Sequence, residues 1–264
     1  MKRILWFRRD LRVEDNPLLS LGGEVLPIFI FDRHILDPLP KDERRVSYIF
    51  EQVLTLKKAL QGHALDLKVY FGEPLEIFEQ LHAQGFNEVV ASGDYDSYAK
   101  ERDIKVSHIL HFRYLHDTYI FKPDEVLKDD GSPYLVFTPF YNKAKTLFTQ
   151  SHMQVYTIVK QTLYKTKYEG ITQIEAKKES LLPLELSCIG FTLNMPKLES
   201  LETKLEKLKT KLTHYAKARD YLAKDATSHL SLELRFGVLS IRALLRFLVT
   251  QKKQGIETEP FFRQ

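Results

Sequence analysis

Cysteine is nearly absent from this 264-residue chain. Cys188 stands alone, which excludes an internal disulfide and any metal centre built on several cysteines. Tryptophan is also single, at Trp6. Long apolar runs are missing, and none approaches the roughly 20 residues needed to cross a bilayer. The first seven residues are basic and then apolar, but the apolar part is too short for a secretory signal, and Arg8, Arg9 and Asp10 interrupt it. A cytosolic protein with no membrane partner is expected. No glycine fingerprint of the dinucleotide-binding type follows the first apolar run; Arg8-Arg9-Asp10-Leu11-Arg12 stands there instead. No Ser/His/Asp arrangement, carboxylate pair or metal-ligand spacing stands out, and the nine histidines are scattered. Such a chain suits chemistry performed by a cofactor rather than by side chains.

What is present is ordinary for a globular protein with a real core. Hydrophobic residues make up 44% and charged residues 28%, enough for one large or two modest domains. The formal net charge of +4 permits an anionic partner without demanding one.

Apolar runs at 4–7, 24–31, 65–71, 88–91 and 112–115 read as strands, with 119–121 as a short sixth. Between them lie helical patterns. Residues 43–61 carry Val46, Ile49, Phe50, Val53 and Leu60 on one face, with Gly62 as the stop. Pro74 opens a second helix that Gly85 ends, and Asp96 or Ser97 caps a third reaching about His108. Strands alternating with helices predict an α/β fold, a doubly wound parallel sheet of Rossmann-like type. In such sheets ligands bind beyond the carboxyl ends of the strands, here at Arg8-Arg9-Asp10, Asp32, Gly72-Glu73 and Ser92-Gly93-Asp94-Tyr95. Unaided, Arg8 to Arg12 reads either as a nucleotide-like site or as structural salt bridges.

Beyond residue 122 the periodicity weakens. An aromatic run, Tyr134 to Tyr141, leads into a helix through Leu147, and 164–196 is polar and lysine-rich. Residues 199–224 read as one strong helix, with Leu201, Leu205, Leu208, Leu212 and Tyr215 in step and its lysines on a solvated face. Thr227, Ser228 and Ser231 then place three hydroxyls at a helix start, a setting that suits a phosphate. Gly237 ends that short helix and Ser240 caps the next, where Ile241, Leu244, Leu245 and Leu248 form an apolar face beside Arg242 and Arg246. On these residues alone, two capped helices with solvated charges are the simpler reading.

A resemblance changes the weighting. Tyr215-x-x-x-Arg219, followed by Thr227-Ser228-x-Leu230-Ser231-x-x-Leu234-x-x-Gly237-x-Leu239-Ser240-x-Arg242, resembles the start of the flavin-binding region of the DNA photolyase and cryptochrome family. Trp6-Phe7-Arg8-Arg9-Asp10-Leu11-Arg12 with Asp15-Asn16-Pro17-Leu18 is similar to the way these proteins begin.

The resemblance implies an α/β antenna domain at 1–125, an interdomain connector at 126–197 and the start of an all-helical, truncated FAD-binding domain at 198–264. It implies that Tyr215, Thr227, Ser228, His229, Leu230, Ser231 and Phe261 hold FAD, with His229 as a wall of the pocket rather than a base. Arg219 would meet a DNA phosphate. Gln264 would stand at the lesion, where repair enzymes carry Glu; Gln there leans towards a cryptochrome-like or altered member. The aromatic run containing Phe137-Thr138-Pro139-Phe140 would pack as core. A second, antenna chromophore would be of deazaflavin or flavin type rather than folate, because Tyr98-Ala99 replaces the Asn-Glu pair of folate binders; the alternative is that none binds. The implied activity is light-dependent splitting of cyclobutane pyrimidine dimers in damaged DNA by a monomer, with a blue-light photoreceptor lacking repair activity as the alternative. Because the resemblance is to the first half of a complete member, an incomplete form, inactive on one reading, is expected.

Overall fold

The computed structural model describes residues 2–164, 169–175 and 178–264. The chain divides into two compact units, residues 1–116 with 156–197, and residues 117–155 with 198–264.

The first unit is built on a sheet. In chain order its elements are β1 (Lys2–Phe7), β2 (Gly23–Asp32), α1 (Arg33–Leu36), α2 (Arg44–Gln61), β3 (Lys68–Gly72), α3 (Pro74–Ala83), β4 (Glu88–Ser92), α4 (Ser97–Ser107), β5 (His111–Leu115), β6 (Gln161–Leu163), β7 (Ile171–Glu175) and β8 (Lys178–Leu182). The strand order is β5-β4-β1-β2-β3-β7-β8, with β6 paired to β2, and every pairing is parallel except β7 with β8. The chain winds outward from β1 through β2 to β3, then crosses back to β4 on the other side, as expected of a doubly wound sheet. The switch point lies between β1 and β4.

The central strand is apolar on both faces because both are covered: Ile4, Leu5, Trp6 and Phe7 are all buried. Trp6 meets Phe78 of α3 edge-on, with ring centres 4.9 Å apart. Helix starts follow the local chemistry. Asp96 accepts the Ala99 amide at 2.8 Å, Pro74 occupies the first turn of α3, and Gly85 takes φ +87° just past its end.

Three expectations are corrected in this unit. The third strand begins at Lys68, not at 65, because β3 pairs with β2 only from Ile28 onward, while β6 takes the Gly23–Val25 part of β2. Leu65 and Leu67 are buried all the same. Residues 119–121 form bends rather than a strand. The polar tract 164–196 contributes β7 and β8 to the sheet; residues 165–168 and 176–177 of that tract lie outside the described residues. Its strands are short and one partner is antiparallel, so no apolar period marks them.

The second unit is helical: α5 (Phe137–Leu147), α6 (Leu201–Leu212), α7 (Tyr215–Ala218), α8 (Ser231–Arg235), α9 (Ile241–Lys253) and α10 (Glu259–Phe262). Its core gathers Leu208, Leu212, Leu230, Leu239, Leu244 and Leu248, with Phe261 and Phe262 packed against it. The expected single helix over 199–224 breaks at Thr213 and His214, where His214 leaves helical geometry at φ −122°, ψ 4°. The leucine–tyrosine period continues across the break, so spacing alone does not reveal it. Ser240 caps α9 as expected, accepting the Ala243 amide at 3.3 Å. Arg242 is not solvated: it is buried and paired with Asp117. The aromatic run expected in the core is instead largely at the surface, with Leu135, Val136 and Phe137 at least half exposed and the Phe137 and Tyr141 rings stacked on each other.

Candidate functional site

Two places combine unusual residues. The first is the carboxyl edge of the parallel sheet in the first unit. Arg8, directly after β1, donates through Nη1 to both carboxylate oxygens of Asp103, at 2.8 and 2.7 Å, and through Nη2 to the Ser92 carbonyl at the end of β4. Asp10 accepts the Arg8 amide at 2.8 Å and the Ser92 hydroxyl at 2.6 Å. Arg102 donates to Asp103 at 3.0 Å and stands 3.7 Å from Asp32. The guanidinium groups of Arg8 and Arg102 lie 4.8 and 4.6 Å from the Trp6 ring centre.

Asn16 bridges the Asp10 and Arg12 carbonyls through its side-chain amide and caps the turn at Leu18 with its oxygen. The opening motif is thus a largely paired polar scaffold, as buried charges require, with the buried Arg8 Nε left without a hydrogen-bond partner. Towards solvent the edge is different. Tyr98 donates to Asp32 at 2.6 Å, and the exposed His34 ring stacks on Tyr98 at 4.6 Å and 13°. Burial, with the Asp32 charge next, pushes the Glu73 carboxyl above its ordinary range. Burial also raises the Tyr98 phenol, helped by its bond to Asp32.

The second place is the segment 225–231 in the helical unit. Ala226 and Leu230 are buried, while Thr227, His229 and Ser231 are exposed and Ser228 is half-buried. The chain therefore arches outward between two apolar anchors. His229 permits the arch by adopting φ +53°, a left-handed conformation that disfavours most side chains. Its ring pairs with Asp225 at 2.6 Å.

The carbonyl side of the arch is held from α6. Lys211 donates to the Thr227 carbonyl at 2.9 Å and to Asp225 at 2.6 Å. Lys204 donates to the His229 carbonyl at 3.2 Å and to Glu233 at 2.7 Å. The Lys211 bond, followed by the His229 bond, holds the Asp225 carboxyl down at about 2.

Thr227 and Ser231 are exposed and their hydroxyls have no partner among the described residues, so they fit a phosphate-bearing cofactor. The expected dipole contribution is small, because α8 begins only at Ser231 and spans five residues.

The remaining expected residues are placed as follows. Tyr215 is buried and meets the Phe261 ring edge-on, centres 5.0 Å apart, and Phe261 packs on the cluster that contains Leu230. Arg219, one turn on, is half-exposed, with Nε 3.5 Å from Asp220. Gln264 is exposed and its backbone N–H donates to the Phe261 carbonyl at 3.0 Å. Lys204 and Lys211 were missed by the expectation of a solvated lysine face; Lys204 is buried and Lys211 half-buried. Their positions carried a signal, because Leu201, Lys204, Leu208 and Lys211 keep the same helical step.

Comparison with known proteins settles the family. A family model described as DNA photolyase matches residues 3–158, more than half of the chain. The chain belongs to the DNA photolyase family. Among curated relatives, the deoxyribodipyrimidine photo-lyase of Alkalihalophilus pseudofirmus is 25% identical over 291 residues, covering 99% of this chain and 57% of the relative. The chain spans about half the length of the curated relatives it matches first. Two solved structures share the fold across the chain. A class III photolyase from Agrobacterium tumefaciens gives a TM-score of 0.77 at 23% identity, covering 99% of this chain and 56% of that one. An archaeal photolyase from Sulfolobus tokodaii, solved with two FAD molecules, gives 0.74 at 23% identity, covering 100% and 56%. No helix among the described residues is long and apolar enough to cross a membrane.

Proposed function

We propose that this photolyase-family chain carries the antenna domain and the first part of the FAD site of a flavoprotein that splits cyclobutane pyrimidine dimers in damaged DNA under light. The observation that carries the reading is the 227–231 arch. In a chain of this family, it offers unengaged, exposed hydroxyls at Thr227 and Ser231 in the sequence order of the flavin-binding motif.

In this reading Thr227, Ser228 and Ser231 donate hydroxyl hydrogen bonds to the FAD phosphates. His229 and Leu230 wall the pocket, and Tyr215 and Phe261 flank the cofactor as an aromatic pair. FAD, when bound, supplies the photoexcited electron that opens the dimer. Arg219, half-exposed with Nε 3.5 Å from Asp220, meets a DNA phosphate, giving binding that is sequence-independent and salt-sensitive. Gln264 faces the lesion. A second chromophore of deazaflavin or flavin type would lie at the sheet edge against His34, Tyr98 and Glu73, because the Arg8, Asp10, Ser92 and Asp103 groups deeper at the switch point are already paired with one another. The protein acts as a monomer in the cytosol.

The photoreceptor reading is kept alive by one residue: Gln264 stands where the family's repair enzymes have Glu, and an amide cannot carry the charge of a carboxylate.

The direct experiment loads the purified chain with FAD and compares it with the T227A/S231A variant. Wild-type protein is expected to retain flavin absorbance through desalting and the variant to lose most of it. Equal flavin content in the two, or none in wild type, contradicts the site. Light-dependent loss of dimers from an irradiated oligonucleotide then separates repair from signalling.

A further inference from the structure

The arch is held by more than its own backbone. Lys204 and Lys211 lie two helical turns apart on one side of α6, and each donates to a carbonyl of the arch, at His229 and Thr227 respectively. Each is also paired with an acid beside the arch, Glu233 and Asp225. The Lys204–Glu233 pair is almost fully withdrawn from water, at 9% and 5% side-chain exposure. Its geometry is not the easiest available: one oxygen of Glu233 is buried with no hydrogen-bond partner. A buried ion pair with an unsatisfied oxygen is a poor source of stability, since apolar residues of similar size serve as well or better. Such a pair is better suited to fixing position.

What it fixes is clear from the direction of the bonds. With the carbonyls of residues 227 and 229 drawn towards α6, the hydroxyls of Thr227 and Ser231 are left to solvent, and the left-handed turn at His229 is kept in place.

We propose that Lys204 and Lys211 are positioning residues for the FAD diphosphate: they hold the 226–231 arch in its binding shape before the cofactor arrives. The inference rests on the flavin reading above. Without the two lysines the arch would have to be ordered at the moment of binding, and that entropy would be subtracted from affinity.

The test uses the full chain and two readouts. Hydrogen exchange of the 227–231 amides is measured without cofactor, with α9 amides as the internal control, and FAD is titrated by its fluorescence. K211M deprives the exposed Asp225 and the carbonyl of the exposed Thr227 of their lysine, and both can turn to water, so folding is expected to be unaffected. Arch exchange should rise on the order of tenfold, the loss of one charged hydrogen bond, with FAD affinity falling in parallel. K211R should restore both.

K204M strands a buried carboxylate and can fail to fold, so K204M/E233L is its companion. It removes both charges, keeps the fold, and should loosen the arch and weaken FAD in the same way. Unchanged arch exchange in K211M and K204M/E233L overturns the proposal. So does faster exchange with FAD affinity equal to wild type. A wild-type chain that takes up no FAD at all brings down the flavin reading itself, and the proposal with it; that result is distinguishable because it appears before any variant is made.

Discussion

Arg242 donates to Asp117 across 2.7 Å, and the two side chains are only 7% and 2% exposed. Within the helical unit this bond ties α9 to the stretch that precedes α5. Removing one member of a buried pair leaves an uncompensated charge, which costs about 3–5 kcal/mol. D117A is therefore expected to lower the urea midpoint strongly, while D117L/R242M should recover most of the loss. A D117A protein with a wild-type midpoint would show that the pair contributes nothing to the fold.

Asp225 is the clearest titrating group of the arch. Its carboxyl is held at about 2, against an ordinary 3.8, by hydrogen bonds from Lys211 first and His229 second. A carboxyl depressed in the folded state contributes fully above its ordinary value and loses that contribution as pH falls towards the folded one. Contacts of the arch with α6 are thus expected to persist to about pH 4 and to weaken from there to about pH 2. A carbon-detected titration should give a midpoint near 2 in wild type and one shifted towards 3.8 in K211M. No shift in K211M would mean the lysine does not hold the carboxylate in solution.

Tyr215 and Phe261 meet edge-on at 5.0 Å and 69°. Aromatic pairs in this geometry are worth about 0.5–1.5 kcal/mol beyond the area they bury. A double-mutant cycle of Y215L and F261L, followed by thermal unfolding, is expected to return a coupling in that range. A coupling of zero would place the two rings apart in solution.

Arg219 is one turn beyond Tyr215 and partly open to solvent. If it meets a DNA phosphate, R219A should weaken DNA binding uniformly across sequences and reduce the salt slope by about one unit. An unaltered slope removes Arg219 from the interface.

Much of the architecture is legible in the sequence. The first five strands and the helices between them follow from apolar runs of strand length separated by capped helical periods. These are local signals, and burial on both sheet faces leaves them uninterrupted. The Thr227-Ser228-x-Leu230-Ser231 order that carries the flavin expectation is likewise written in near-consecutive residues. Local caps such as Asp96 and Ser240 are legible too, but tertiary structure decides which charged residues are buried and with what partner.

Lysines 204 and 211 look like a solvated face in one dimension, yet partners 14 to 29 residues away draw them inward. Arg8 and Arg12 read in sequence either as a ligand site or as structural salt bridges, and in the fold they bond to carbonyls and carboxylates of their own unit. Strands β7 and β8 have no apolar period to announce them: β7 completes the backbone groups at the edge of β3, and β8 in turn pairs with β7. An apolar side chain carries its preference for burial wherever it stands in the chain. A charged one is buried only if folding brings a counter-charge to it, and that depends on residues distant in sequence.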